Sequence, residues 1–151
     1  DVVRLTCRSN MCNSLMDGII HTLPSGVLLP PAYHVMKLYA EHSKPVPLRL
    51  GDLLENVEAS ACANEDRSEV CLFLSNWRLE PVAVRLDLSA FGERFIVHSA
   101  EAVRDTQDMR QMDAMNHWTA PARIRTTPLA VTGNTVTLPP LSVAAVECRR
   151  P

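Results

Sequence analysis

The spacing of apolar residues changes once along this chain, at Ser43-Lys44-Pro45-Val46-Pro47, and that change limits what the chain can fold into. Beyond it, apolar side chains recur at every second residue. Val70, Leu72 and Leu74 alternate with Cys71, Phe73 and Ser75, and Val82, Val84, Leu86 and Leu88 alternate with Ala83, Arg85 and Asp87. Neighbouring side chains of a strand point to opposite faces, so a period of two identifies strands, whereas a helix repeats every 3.6 residues. Phe95-Ile96-Val97, Thr135 to Leu138 and Leu141 to Cys148 continue the series. Thr132-Gly133-Asn134 reads as a turn, and Pro139-Pro140 interrupts what would otherwise be one long strand. Several short strands separated by polar turns predict a mainly β fold, a β-sandwich of jelly-roll-like type. Asp105 to Asn116 is rich in Asp, Gln and Met without alternation and reads as a long surface loop between strands.

Before the boundary the pattern is helix, strand, helix. Val2, Leu5, Cys12, Leu15 and Met16, with Arg4 and Arg8 four residues apart, suit a helix over Asp1 to Asp17 that stops at Gly18. Ile19-Ile20-His21-Thr22 reads as a short buried strand followed by a turn at Leu23-Pro24-Ser25-Gly26. Pro30-Pro31 precede a helix from Ala32 to about His42, because proline is tolerated in a first turn whose amides lack partners anyway. Its polar stripe is His34, Lys37 and Glu41, which leaves Tyr33, Val35, Met36 and Tyr39 to bury. The expected division is 1–43 and 44–151.

Composition narrows the partners. A length of 151 residues suits one domain, or a small domain with a fragment of another attached. With 21% charged residues and a net charge of -2, no basic face for phosphate is implied, so nucleic acid is not an expected partner. No apolar run approaches the roughly 20 residues of a spanning helix, so a soluble chain without a membrane partner is expected. The chain opens on Asp1 with no signal-peptide pattern, which suggests a cut start. Cysteines at 7, 12, 62, 71 and 148 are odd in number and lack C-x-x-C spacing, so reduced thiols are expected. For Cys62 and Cys71 a bridge across a hairpin is the alternative to two half-buried strand thiols. Reduced thiols lean toward the cytoplasm over secretion; the compartment is otherwise open.

Two stretches carry a resemblance. Leu28-Leu29-Pro30-Pro31-Ala32-Tyr33-His34-Val35-Met36-Lys37-Leu38-Tyr39 is similar to the L-x-T-P-x-Y-H-V-x-x-x-Y segment of glycoside hydrolase family 51. Asp113-Ala114-Met115-Asn116, followed by Gly133-Asn134-Thr135-Val136-Thr137-Leu138-Pro139-Pro140-Leu141-Ser142-Val143, resembles that family's D-A-x-N segment and closing L-P-P-x-S-V strand. Arg8-Ser9-Asn10, Cys12-Asn13-Ser14 and Gly18-Ile19-Ile20 look like the last helix and strand before the closing helix of its (β/α)₈ barrel. Each motif alone is weak; their order and spacing make the match specific. The resemblance implies the C-terminal region of a retaining α-L-arabinofuranosidase, with 1–43 a remnant of the last β/α unit of the barrel and 44–151 the C-terminal sandwich. The implied partners are the missing barrel and an arabinose-containing polysaccharide, such as a hemicellulose, or oligosaccharide. Without the barrel, 1–43 would expose an apolar side, from which a homo-oligomer, aggregation or a refolded N-terminal segment is expected. No cofactor or metal is implied. Both catalytic glutamates, about 5 Å apart in a retaining enzyme, would lie upstream of Asp1, leaving the chain itself non-catalytic.

The chain's own acids are weak substitutes. Glu55 with Glu58, Glu65 with Asp66, and Asp105 with Asp108 lie in loop-like sequence without the apolar flanks that raise a carboxyl pKa, so they are expected on the solvated surface. Asp17 stands just before the presumed last barrel strand, where the family commonly offers a glutamine to the sugar. An aspartate can accept from a hydroxyl but cannot donate as an amide does, and the competing reading is that Asp17 simply ends a helix. His34 lacks metal-ligand partners at suitable spacing, so a helix-surface or interdomain hydrogen bond is expected. His117-Trp118 can stack on a sugar or pack against the sandwich or barrel, and packing is expected. Trp77 follows a strand and is expected in the core. Two other readings are an independent carbohydrate-binding module, which needs a row of exposed aromatics, and a pure interaction sandwich.

Overall fold

The computed structural model describes residues 11–13, 18–51, 55–92, 94–108 and 110–151. Most of the helix expected over Asp1 to Asp17, including Asp17 itself, lies outside them. Where that stretch is described it is not helical: Cys12 bridges Ile20 in parallel fashion, and Asn13 sits at φ 51°. The Asn13 amide donates to Thr22 Oγ1 and its oxygen accepts from the Thr22 amide, both at 2.7 Å. Asparagine tolerates that left-handed backbone because its short polar side chain bonds locally.

Two short strands, β1 (His21–Leu23) and β2 (Gly26–Leu28), form a hairpin. The buried strand expected at Ile19 to Thr22 is corrected here. Ile19 is buried, but β1 is largely exposed, because a two-stranded hairpin has no second layer of its own. Helix α1 (Pro31–His42) follows, starting at Pro31, one residue before the expected Ala32, and ending at His42 as expected, where the Ser43 amide donates to the Tyr39 carbonyl.

The remainder is strand. β3 (Val46–Leu48), β4 (Val57–Ala63), β5 (Glu69–Asn76), β7 (Ile96–Asp105), β8 (Ile124–Pro128) and β11 (Ser142–Arg149) make one six-stranded sheet in the order β3-β4-β5-β11-β7-β8, every pair antiparallel. A second sheet of three strands, β6 (Val82–Arg85), β10 (Thr135–Leu138) and β9 (Val131–Thr132), runs β6-β10-β9. Edge strands β3 and β8 carry Pro47 and Pro128, residues that blunt an edge against further pairing because they offer no amide hydrogen. Among the described residues no helix is long and apolar enough to cross a membrane.

Alternation in β5 and β11 has a consequence beyond strand identity, because both faces are apolar. Val70, Leu72 and Leu74 of β5, with Ala144, Val146 and Cys148 of β11, join Val84, Val136 and Leu138 of the small sheet in one core. The opposite side chains, Cys71 and Phe73 with Ala145, join Val103, Ile124 and Leu38 of α1 in another. The large sheet is thus covered by a sheet on one face and by α1 on the other. Cys62 and Cys71 face one another in the register of β4 and β5 as free thiols, and burial pushes the Cys71 thiol up to about 12.

The chain passes between sheets at Pro139-Pro140. β10 ends in the small sheet, and the Leu141 backbone turns through φ 47° into β11 of the large one. Asn76, 1% exposed at the end of β5, holds this crossing. Its Nδ2 donates to the carbonyls of Glu80 (2.9 Å) and Pro139 (2.8 Å), and its Oδ1 accepts from the Arg78 amide (3.0 Å). Trp77, the next residue, corrects the core expectation: it is 63% exposed, because the chain has left the sheet and the alternation no longer applies.

Candidate functional site

Helix α1 carries apolar residues around most of its circumference. Val35 and Leu38 point into the sheet-side core, and Tyr39 stacks on Phe73 with ring centroids 4.1 Å apart. On another face, Tyr33, Met36 and Ala40 stand at i, i+3 and i+7, a spacing that aligns them in one stripe. Met36 is 40% exposed and Ala40 is exposed, with the Lys37–Glu41 ion pair (3.4 Å) beside them. The hairpin adds Leu23 and Val27, also exposed. A helix apolar on two sides but covered on one has surface for a further layer.

The start of α1 is pinned from the long loop between β7 and β8. Asn116, buried, donates from Nδ2 to the Leu29 carbonyl and to the Ile124 carbonyl, both at 2.8 Å, and accepts from the Ile124 amide at 2.7 Å. One side chain thus ties the segment leading into α1 to β8. The same loop is closed at its base by Arg123 Nη2 on Asp105 Oδ2 at 2.7 Å, with Gln111 accepting from the same nitrogen at 3.1 Å.

The end of α1 is held by charge. His42 places Nδ1 3.0 Å from Glu147 Oε1 on β11 and Nε2 2.8 Å from Glu101 Oε1 on β7. Lys44 Nζ lies 3.0 Å from Glu69 Oε2 and 3.9 Å from Glu147 Oε1. Sequence reasoning misses these residues, since positions 42, 101 and 147 come together only through the sheet order. The available signal is Glu147, a charge inside the apolar run Val143 to Cys148.

The acids considered as catalytic candidates fall elsewhere. Glu55, Glu58, Glu65 and Asp66 are exposed, and Asp66 accepts from the Ser68 amide to shape its turn. Asp105 is engaged by Arg123, whereas Asp108 is exposed. Among the described residues, Glu101 and Glu147 are brought together with each committed to a ring nitrogen of His42, and Glu69 meets Glu147 across Lys44. His34 is half-buried with Tyr33 edge-on at 5.5 Å, and burial, with a smaller effect of the Lys37 charge, lowers its pKa. His117 pairs with Ala120 in a tight turn, and Trp118 keeps 45% of its surface exposed. Among the described residues no group of His, Cys, Asp and Glu is arranged to hold a metal ion.

No family model and no curated protein sequence matches the chain. Its fold, however, matches solved structures. An α-L-arabinofuranosidase from Thermotoga maritima, in complex with arabinose, superposes with a TM-score of 0.69 over 90% of this chain at 20% identity. A family 51 α-L-arabinofuranosidase from Bifidobacterium longum superposes with a TM-score of 0.70 over 97% of this chain, also at 20% identity. The chain spans 32% and 31% of those two proteins, and it resembles their C-terminal region. A β-porphyranase of glycoside hydrolase family 86 from Bacteroides plebeius shares the fold at a TM-score of 0.57 and 8% identity, over 89% of this chain and 22% of that one. The likeness is one of fold, found in glycoside hydrolases of different substrates, and fold alone does not assign a reaction.

Proposed function

We propose that this chain is the C-terminal part of a retaining α-L-arabinofuranosidase, non-catalytic by itself, in which 1–43 complete the catalytic barrel and 44–151 form the sandwich that braces it. The parent enzyme would release terminal α-L-arabinofuranosyl residues from polysaccharide. The reading is carried by α1: one side already seals the sandwich, and the stripe of Tyr33, Met36 and Ala40 offers the other to the barrel. Asp17 belongs to the same proposal as an acceptor for a sugar hydroxyl. To test the docking, the barrel expressed without this segment is titrated with the chain. Met36→Glu is expected to weaken that association by at least roughly tenfold, since it removes a thioether side chain that docking would bury and sets a charge in the interface. Equal affinity of the two forms would place the contact elsewhere.

A second reading, carbohydrate binding without cleavage, is favoured by the exposed Trp77. It borders a groove of about 230 Å³ lined also by Val35, Met112 and Leu141, with Asp108 and Arg110 at polar positions. Asp108, Arg110 and Leu141 have φ of 50°, 52° and 47°, a concentration of left-handed non-glycine backbone of the kind found at binding sites. An aromatic face beside polar groups suits a sugar ring. On this reading the chain binds arabino-oligosaccharides and Trp77→Ala reduces affinity by at least roughly tenfold, the loss of one stacking platform. Absence of binding in nuclear magnetic resonance titrations leaves the bracing role alone.

A further inference from the structure

We propose that His42 is a proton-operated latch, fastening the end of α1 to the six-stranded sheet in mildly acidic solution and loosening it as the ring loses its proton. The reason is geometric. A neutral imidazole has one donor and one acceptor nitrogen, and an ionised carboxylate only accepts. His42 faces a carboxylate oxygen with each nitrogen, at 3.0 Å toward Glu147 and 2.8 Å toward Glu101. Both hydrogen bonds exist together only when the ring is the doubly protonated cation. Its place in the last turn of α1 adds the helix's partial negative charge to the same preference.

The surrounding charges determine the pH range. Burial alone would lower the His42 pKa, but the hydrogen bonds and charges of Glu147 and Glu101 outweigh it, and the net shift is above the ordinary 6.5. Burial would raise Glu147, yet His42, Lys44 and His98 together hold it below the ordinary 4.5. Lys44, raised in spite of burial by its bond to Glu69, stays charged throughout, and Cys71 stays a neutral thiol. Lys37 and Glu41 on α1 itself neutralise each other at the surface. A group with a raised folded pKa contributes its full stability below its unfolded value and loses it as pH rises through the folded one. A group with a lowered pKa does the reverse, losing its contribution as pH falls. The latch is therefore strongest between 4.5 and 6.5, and it opens on the alkaline side through His42. It is a property of this chain whether or not the arabinofuranosidase reading holds. If that reading does hold, the proton state of His42 governs how firmly the sandwich grips a helix that also serves the barrel.

Amide hydrogen exchange in α1 of the 151-residue chain, corrected for the intrinsic pH dependence, is the direct test. Protection over the last turn of α1 is expected to fall by roughly tenfold between about pH 5.5 and 8.5, the effect of one charge-assisted hydrogen bond. In His42→Gln the drop should vanish, with protection already low at the acidic end. His98→Gln, which removes the neighbouring titratable ring on β7, should keep the wild-type response. Glu101→Gln provides a second variant, expected to move the midpoint of the opening to lower pH. The same response in wild type and His42→Gln, or no response in wild type, would overturn the proposal.

Discussion

Replacing Asn76 with alanine is expected to lower the stability of the chain by about 3–5 kcal/mol, more than any surface substitution and close to what loss of a large core side chain costs. Asn76 is 1% exposed, and its amide serves the Glu80 and Pro139 carbonyls and the Arg78 amide at once. Alanine would leave three backbone polar groups short of a partner, and each such group, where buried, costs about 1–3 kcal/mol. Asparagine is suited to the position because it both donates and accepts; aspartate would keep the shape but lose the donor and bury a charge. The three partners belong to the segment leaving β5 and the segment entering β11, so one side chain joins the two sheets where the backbone crosses between them. Denaturant unfolding is the measurement. A lower midpoint with an unchanged slope is expected, and a loss below about 1 kcal/mol would mean that relaxation or water takes over these bonds.

β5, β6, β10 and β11 are legible in the sequence because burial imposes a period of two wherever one face meets a core, and β5 and β11 meet a core on each. Val70-Cys71-Leu72-Phe73-Leu74 therefore alternates between two apolar sets. β3, β4, β8 and β9 are not picked out by that pattern, and β7 is picked out only at its start. Helix α1 is legible from Pro30-Pro31, but its buried face is not: Met36 and Tyr39, expected to bury, are exposed, and Leu38 is the residue that the sheet covers. Asp113 to Asn116 is singled out only by its resemblance to a known segment. The reason for Asn116, a hydrogen-bonded tie between Leu29 and β8, is visible only in three dimensions. Trp77 departs from its expected place because the rule that buries aromatics in strands stops at the last paired residue, which is Asn76. β1 departs from its own because β-branched residues signal a strand without saying whether anything covers it. The His42 cluster is out of reach for a different reason: Glu101 and Glu147 are neighbours only because β7 pairs with β11, and no local pattern encodes that pairing.

The largest effect expected is on catalysis. Retaining hydrolysis of a glycoside requires two carboxyls about 5 Å apart, one as nucleophile and one as acid and base. Among the described residues, Glu101 and Glu147 are bound to His42, Glu69 and Glu147 flank Lys44, Asp105 is bound to Arg123, and the remaining candidate pairs are exposed to water. If the chain is the C-terminal part of an arabinofuranosidase, the reacting carboxyls belong to the barrel, and this chain restores activity by completing and bracing it. The decisive measurement is hydrolysis of an aryl α-L-arabinofuranoside by the 151-residue chain alone, by the upstream barrel alone, and by the two mixed. No turnover above buffer is expected from the chain alone, and restored turnover is expected from the mixture. Turnover by the chain alone would contradict the bracing role, and would place the catalytic carboxyls within residues 1–151.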